Sequence, residues 1–425
     1  MAGRTKSKRV EKFRSENVVD KEDNLEVSKN FSSENWQLII ISYWGMFNAG
    51  MVISFLGPLL VPISNSFQLK LAQVGFPVAL NFTGFFLATF AIAFFWRTYR
   101  ARPLLTFSSL FLSLSLVGIA LLHDSLIVLF ILLFFVGFNA GIMHTGLDSL
   151  ISETFKRARA KYLNILHIFV GLGCLASPLL VGIILTYSEK WYLVCFLMGL
   201  FSIPLPIFFW NKRLYRKAIF SKNREVIDNP GLNKPVNWRV FWPIVFSIFL
   251  YVGIESSFAS WTPLFLVKVR GVTTAIASYN ISIFWLAIIV GRWFFGKLFY
   301  KTNLSRSLII GAVGGALFIA LSFLSKEKSI ILLFIACSGL FLSYIYPNML
   351  ALAGNIFPNS IGFVTGILTT SGFVGSTLFP WLIGPISQAI GLTKSVFLIS
   401  LLSIGLTGVL LYFHYFLMRR CVLED

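Results

Sequence analysis

Five ionisable side chains stand inside otherwise apolar stretches of this 425-residue chain: His144, Asp148, His167, Glu255 and Arg292, with Glu153 at the edge of the stretch that holds the first two. A charge in hydrocarbon is costly unless it is paired, hydrated or neutralised, so such a group faces a partner or a water-filled cavity. Asp148 follows His144 by four residues, which puts both on one helix face. His167 falls near the start of the next apolar run and is expected at similar depth across the hairpin. A carboxylate beside imidazoles stabilises the charged ring and suits a proton relay or an inner gate. Interhelical hydrogen bonding is the plainer role for the same histidines.

Glu255 lies about 14 residues into its run, close to the middle of a membrane about 30 Å thick. A carboxyl group there can take and release a proton as water access alternates between the two faces. Two other roles fit the residue: a fixed acceptor tying the seventh and eleventh runs together, or a sodium ligand. Arg292 is the one basic residue well inside a run. Its guanidinium can hold an acidic or carbonyl partner in one conformation and release it in another, or it can snorkel to nearby headgroups. The sequence selects no partner for it.

The elements that position these groups follow from composition. The chain is 56% hydrophobic and 12% charged, with a mean hydropathy of +0.79, so lipid is its main solvent. Backbone groups in lipid must bond within their own segment, which predicts helices. Runs such as Leu126 to Val136 are apolar on every face and do not alternate as barrel strands do. Twelve spans are predicted, at about 37–63, 72–95, 103–122, 126–151, 163–187, 190–210, 240–267, 273–299, 304–324, 329–354, 361–386 and 391–417. The polar tail 1–35 lacks the apolar core of a secretory leader and is expected to be a disordered cytosolic segment.

Sorting Lys and Arg by alternating sides places 28 on the side of the tail, seven on the other and Arg292 within a span. That bias predicts cytoplasmic termini in a cell membrane, plasma or bacterial inner. The net charge of +19 is spread over the tail and loops rather than a soluble basic module, so nucleic acid is not an expected partner. The longest interior polar stretch, 211–239, divides residues 36–210 from 240–418, six spans in each, and leaves 419–425 as a short cytosolic end. Basic links recur after span two (Arg97, Arg100, Arg102) and span eight (Lys297, Lys301, Arg306), a sign of paired repeats. The four cysteines sit apart, and neither a disulfide, a metal site nor a cofactor is expected.

Midplane candidates for holding a solute are Asn48, Asn81, Asn139, Tyr251, Trp261, Asn280, Trp285, Thr369 and Thr370. Amides exchange paired hydrogen bonds with hydroxyls, and aromatic faces cover the apolar face of a pyranose ring. The competing role for each is packing against lipid or neighbouring helices. Glycines such as Gly171, Gly173, Gly372 and Gly375 fit close helix approach better than solute contact. Enzyme signatures are missing: no phosphate loop ending in Lys-Ser/Thr, no H-E-x-x-H and no nucleophile elbow.

Several local patterns carry a more specific resemblance. Span four ends GFNAGIMHTGLDSLISE, span five opens YLNILHIFVGLGCLASPLL, span seven reads YVGIESSFASWTPLFL and span eight FWLAIIVGRWFFGKL; span ten contains YIYPNMLALAG and span eleven TGILTTSGFVGSTLFPWLIG. Taken in order from about Trp36, these resemble the major facilitator superfamily, in particular its fucose/proton-symporter-like branch. The resemblance implies two six-helix bundles around a central cavity and transport by alternating access. Departures are specific. The loop after span two is reduced to WRTYRARP without an Asp, His144 stands at the family's acidic position, Asp148 at its Asn, and Val52 near the symporter's Asp. They weigh against fucose and against that symporter's proton site.

The function these readings imply is proton-coupled symport of a sugar or similar small polar solute, with Glu255, Asp148, His144 and His167 in proton coupling and Arg292 and Asp148 in gating. Sodium is the other candidate ion, and a monomer in the bilayer is expected. The alternative is proton-coupled efflux of an amphipathic compound, which the weak likeness of GLGCLASP to drug/proton antiporters keeps open. A transporter-like sensor without flux is a third reading.

Overall fold

The computed structural model describes residues 33–95, 100–155, 159–215, 237–298, 304–357 and 361–417. Twelve helices among the described residues are long and apolar enough to cross a membrane. They are α1 (Ser33–Ser54, continued by Leu56–Ser66), α2 (Phe76–Phe95, preceded by the turn Leu71–Val74), α3 (Ala101–Leu121) and α4 (Leu126–Thr154). Then come α5 (Arg159–Tyr187), α6 (Tyr192–Ser202 with Pro204–Trp210), α7 (Trp238–Arg270) and α8 (Thr274–Leu298). The last four are α9 (Leu304–Leu324), α10 (Lys328–Leu342 with Ile345–Ile356), α11 (Ile361–Ile390) and α12 (Leu392–Ser395 with Phe397–Tyr412).

Local signals set the ends. The Ser125 hydroxyl accepts the Val128 N–H at the start of α4, and the Asn237 side-chain oxygen Oδ1 accepts from Arg239 N–H at the start of α7. Gly271, at φ +64°, ends α7, and Val272 N–H reaches back to the Leu266 carbonyl at 3.1 Å, a left-handed cap that glycine adopts without strain. Helix begins at Ser33, inside the stretch expected to be a disordered tail; the rest of that tail lies outside the described residues. Of the predicted linker, Lys212–Tyr215 forms a short 3-10 turn and α7 opens at Trp238. Residues 216–236, the predicted end segment 419–425 and the basic Arg97 and Lys301 fall outside the described residues.

Helix pairing repeats with a period of six. α2 packs on α4 and α8 on α10; α1 packs on α5 and α7 on α11; α3 packs on α6 and α9 on α12. Across the divide α5 meets α8, α2 meets α11 and α1 meets α7, pairings that map onto one another under the same shift. Two six-helix halves related in this way form the all-α membrane fold.

Contact between the halves is tight at the end remote from the start of α1, the far end. Gly57 of α1 lies so close to Ala259 and Ser260 of α7 that a side chain there would run into backbone. Lys268 Nζ donates to Asn65 Oδ1 at 3.2 Å, and the Thr186 and Tyr279 hydroxyls are 3.3 Å apart. Deeper in the membrane, Phe85 of α2 meets Phe373 of α11 with ring centroids 4.6 Å apart.

Candidate functional site

His144 and Asp148 project from the same face of α4, as their spacing requires, with His144 Nδ1 3.6 Å from Asp148 Oδ2. From α5, His167 Nε2 comes within 3.3 Å of the other carboxylate oxygen, and the two imidazole centroids are 5.6 Å apart. The depth match expected across the hairpin is therefore met. Exposure grades across the group: the His144 side chain is 11% exposed, Asp148 29% and His167 43%. His144 is walled by Phe85 and Phe373 at 5.8 and 6.4 Å, so the aromatic contact between α2 and α11 seals one side of it.

The second half supplies a matching group. Tyr251 Oη donates to Glu255 Oε1 at 2.9 Å along α7. The Tyr251 ring neighbours that of Tyr346 on α10 at 6.3 Å, and the Tyr346 hydroxyl is 3.4 Å from Thr369 Oγ1 on α11. The hydrogen bond found for Glu255 is thus made within its own helix, while Thr369 and Tyr346 link α10 to α11.

Arg292 joins the two groups. Its Nε donates to the Ser343 carbonyl at 3.3 Å, where α10 is interrupted between Leu342 and Ile345. The interruption has a covalent cause: Pro347 carries no N–H, so the carbonyl four residues earlier, that of Ser343, has no donor in its own helix. Arg292 fills that vacancy from α8. Its charge also acts on Glu255, Tyr251 and Tyr346 in its own half and on His167 in the other. Asp148 in turn acts across the divide on Tyr346. All five ionisable residues singled out by position thus share one electrostatic cluster, built from α4, α5, α7 and α8.

The remaining candidates divide by what their polar atoms do. Asn48 donates to the Trp44 carbonyl at 2.9 Å and accepts from Ser202 Oγ at 2.6 Å, which engages its amide in tying α1 to α6. Trp261 Nε1 donates to the Pro380 carbonyl at 2.8 Å and locks α7 to α11. Asn81 Nδ2 donates to the Leu133 carbonyl at 3.3 Å, between α2 and α4. Asn139 and Asn280 bond back one turn, to Phe135 and Ile276, at 2.8 and 3.0 Å. Trp285 is 5% exposed, and its Nε1 has no partner among the described residues. Seven residues separate it from Arg292, which places both on one face of α8. Thr370 is half-buried beside Thr369. Tyr346 and Ser343 were missed in the sequence, although Pro347 marks the Ser343 carbonyl as needing an outside donor.

A charge cluster inside two six-helix repeats, shared between them, defines a class, the helical secondary carriers. The Major Facilitator Superfamily model matches residues 43–380, and the chain belongs to that family. It is 25% identical over 367 residues to the "Protein TsgA homolog" of Buchnera aphidicola subsp. Baizongia pistaciae, covering 86% of this chain and 92% of the relative. It is also 25% identical over 361 residues to the glucose/mannose transporter GlcP of Bacillus subtilis, covering 81% and 86%. Among solved structures, a bacterial homolog of the human lysosomal transporter Spinster, inward-facing and occupied, aligns with a TM-score of 0.75 at 16% identity over 92% of this chain and 99% of its own. The xylose transporter XylE of E. coli, partially occluded and inward open, aligns with a TM-score of 0.69 at 13% identity over 91% and 98%. The chain is thus a multi-pass membrane transporter of a small solute and not an enzyme.

Proposed function

We propose that the chain is a proton-coupled symporter of a sugar or similar polar solute, with both termini on the cytoplasmic side. The observation that carries this reading is the charge composition of the cluster. Glu255 brings one carboxylate to the middle of α7, Asp148 brings a second, six residues before the end of α4, and Arg292 brings the one fixed cation among them. With both imidazoles neutral the cluster holds one uncompensated negative charge, which is costly at the Glu255 end, where the site is buried, and less so at the more open Asp148. One proton, on His167 beside Asp148 or on Glu255 beside Tyr251, removes it. Loading and release of that proton from opposite faces couples the cycle to a proton gradient.

Arg292 is the gating element in this scheme, held by the Ser343 carbonyl when Glu255 is protonated and drawn to the carboxylate when it is not. We assign the solute to the helix faces beside the cluster that carry Trp285, Thr369 and Thr370, with Asn139 and Asn280 as further candidates and Tyr251 buried behind them. The indole of Trp285 offers an unpartnered N–H donor to a hydroxyl, whereas Tyr251, 0% exposed, acts through its hydrogen bond to Glu255. The sugar class is supported by the likeness to GlcP, whose name records glucose and mannose.

The test is transport in proteoliposomes over a panel of labelled sugars, with and without an imposed pH gradient. Saturable accumulation driven by the gradient is expected. Glu255→Gln should abolish accumulation and keep counterflow exchange; intact accumulation in that variant overturns the coupling role. Accumulation driven by sodium alone would replace the proton, and gradient-driven dye extrusion without sugar uptake would replace symport by export.

A further inference from the structure

At the far end two hollows meet at one residue. A groove of about 510 Å³ runs down the lipid-facing side between α2 and α4, lined by Leu69, Phe76, Leu80, Phe130, Ile131 and Phe134. Behind Leu69, which borders both, a cavity of about 630 Å³ lies on the seam between the halves, with Ser64, Asn65, Gln68 and Lys268 in its wall. The first is hydrocarbon apart from Gln73 at its rim; the second gathers two amides, a hydroxyl and an ammonium group. The chain segment between them is tightly folded: Gln68 has φ +50°, and Leu69 N–H donates to the Ser64 carbonyl at 2.9 Å.

Charge completes the pattern. Lys268 lines the cavity, Lys70 sits between its lining residues Leu69 and Leu71, and Lys394 follows Leu392, also in the wall, by two residues. These are three of only seven basic residues on that side of the chain, and no acidic residue lies within two positions of the cavity wall. Two acids stand at the margins: Asp124, 3.4 Å from His123 Nε2, and Glu189, which is followed by Lys190 and lies two residues before Trp191, whose indole donates to Ser66 Oγ at 3.0 Å. An apolar slot for a chain, opening at the water level onto hydrogen-bond donors and concentrated positive charge, is complementary to one kind of molecule.

We propose that the far end binds an anionic phospholipid of the adjoining leaflet, with an acyl chain in the α2–α4 groove and the phosphate at the Lys268 cavity. Because the cavity wall comes from both halves, Leu264, Lys268 and Leu392 facing Ser64 to Val74, parting of the halves dismantles the headgroup site. A ligand that binds one conformer alone stabilises it by mass action. The bound lipid therefore holds the far end closed, and the anionic content of that leaflet sets how often it opens. This is independent of the solute and of the coupling ion.

The test reads binding and conformation rather than transport. Native mass spectrometry of the full chain in detergent would compare phosphatidylglycerol with phosphatidylcholine of the same acyl chains. A lysine near a membrane surface contributes about 1 kcal/mol to anionic lipid binding, about fivefold in affinity. Lys268→Gln should cost about fivefold for phosphatidylglycerol and nothing for phosphatidylcholine, and Lys268→Arg should restore it. In bilayers, phosphatidylglycerol should slow alkylation of a cysteine placed at Leu264, in a background whose native cysteines are replaced. Equal retention of the two lipids, or indifference to Lys268→Gln, overturns the site. If inorganic phosphate slows alkylation as well as the lipid does, the ligand is a free anion and the lipid assignment falls.

Discussion

The crossing of α1 and α7 offers the sharpest test of how the halves move. In the far-closed arrangement a methyl group at position 57 would overlap the Ala259 carbonyl oxygen and lie 2.8 Å from Ser260 Cα and 3.1 Å from the Ala259 carbonyl carbon. Carbon atoms in good contact sit about 3.5–4.0 Å apart. Both sides of this contact are backbone, so no rotamer change relieves it and the helices must part by roughly 1 Å. Overpacking of this size costs about 1–3 kcal/mol. The cost falls only on the conformer in which α1 and α7 touch, whereas the roughly 1 kcal/mol that alanine gains over glycine in a helix is present in every conformer. Gly57→Ala should therefore shift the population toward far-open by roughly 5- to 150-fold. The readout is alkylation of a cysteine at Leu264, which is 1% exposed in the closed state. The rate should rise by that factor, with net transport slowed because each cycle must close this end. An unchanged rate in a folded variant would show that the far end opens without separating α1 from α7, and the rocking argument would fail.

Pro347→Ala restores an N–H able to reach the Ser343 carbonyl, so it competes with Arg292 for that oxygen. Pro347 stands in the first turn of Ile345–Ile356, where proline is tolerated, so little stability changes and the expected result is slower transport with a nearly unchanged unfolding temperature. Arg292→Lys keeps the charge but loses the rigid fork, and should retain partial exchange where Arg292→Ala retains none, measured as counterflow. Asp148→Asn takes the charged acceptor away from His167; a hydrogen bond to a charged group is worth about 1.5–3 kcal/mol, so gradient-driven uptake should fall at least about tenfold. Trp285→Phe preserves the ring and deletes the N–H, and should raise the half-saturation concentration for the solute with little change in maximal rate.

Much of this arrangement was legible in the residues. Twelve helices follow from uninterrupted apolar runs, because lipid leaves the backbone no other way to satisfy itself. The His144, Asp148 and His167 group was readable from a spacing of four and from equal depth on consecutive antiparallel helices. What stayed hidden depends on rotation about each helix axis. In helices apolar on all sides no stripe shows which face turns inward, so Asn48 and Trp261 looked as available to solute as Trp285. Their hydrogen bonds, to Ser202 on α6 and Pro380 on α11, are set by packing that spacing does not encode. Tyr346 was overlooked for another reason: its hydroxyl is neutral, and only proximity to Tyr251, Thr369 and Arg292 distinguishes it from other tyrosines.

The two repeats are not stiff in the same places. α4 runs unbroken for 29 residues, while α10, which takes the same place in the second half, carries a joint at Ser343 and Tyr344. A rod can only tilt, whereas a jointed helix can bend and leave its neighbours in place. The relation is reversed one pair over, where α1 is interrupted at Phe55 and its counterpart α7 runs unbroken for 33 residues. Each half thus carries its joint in a different helix, so the strokes that open the two ends bend at different places, one of them beside Arg292.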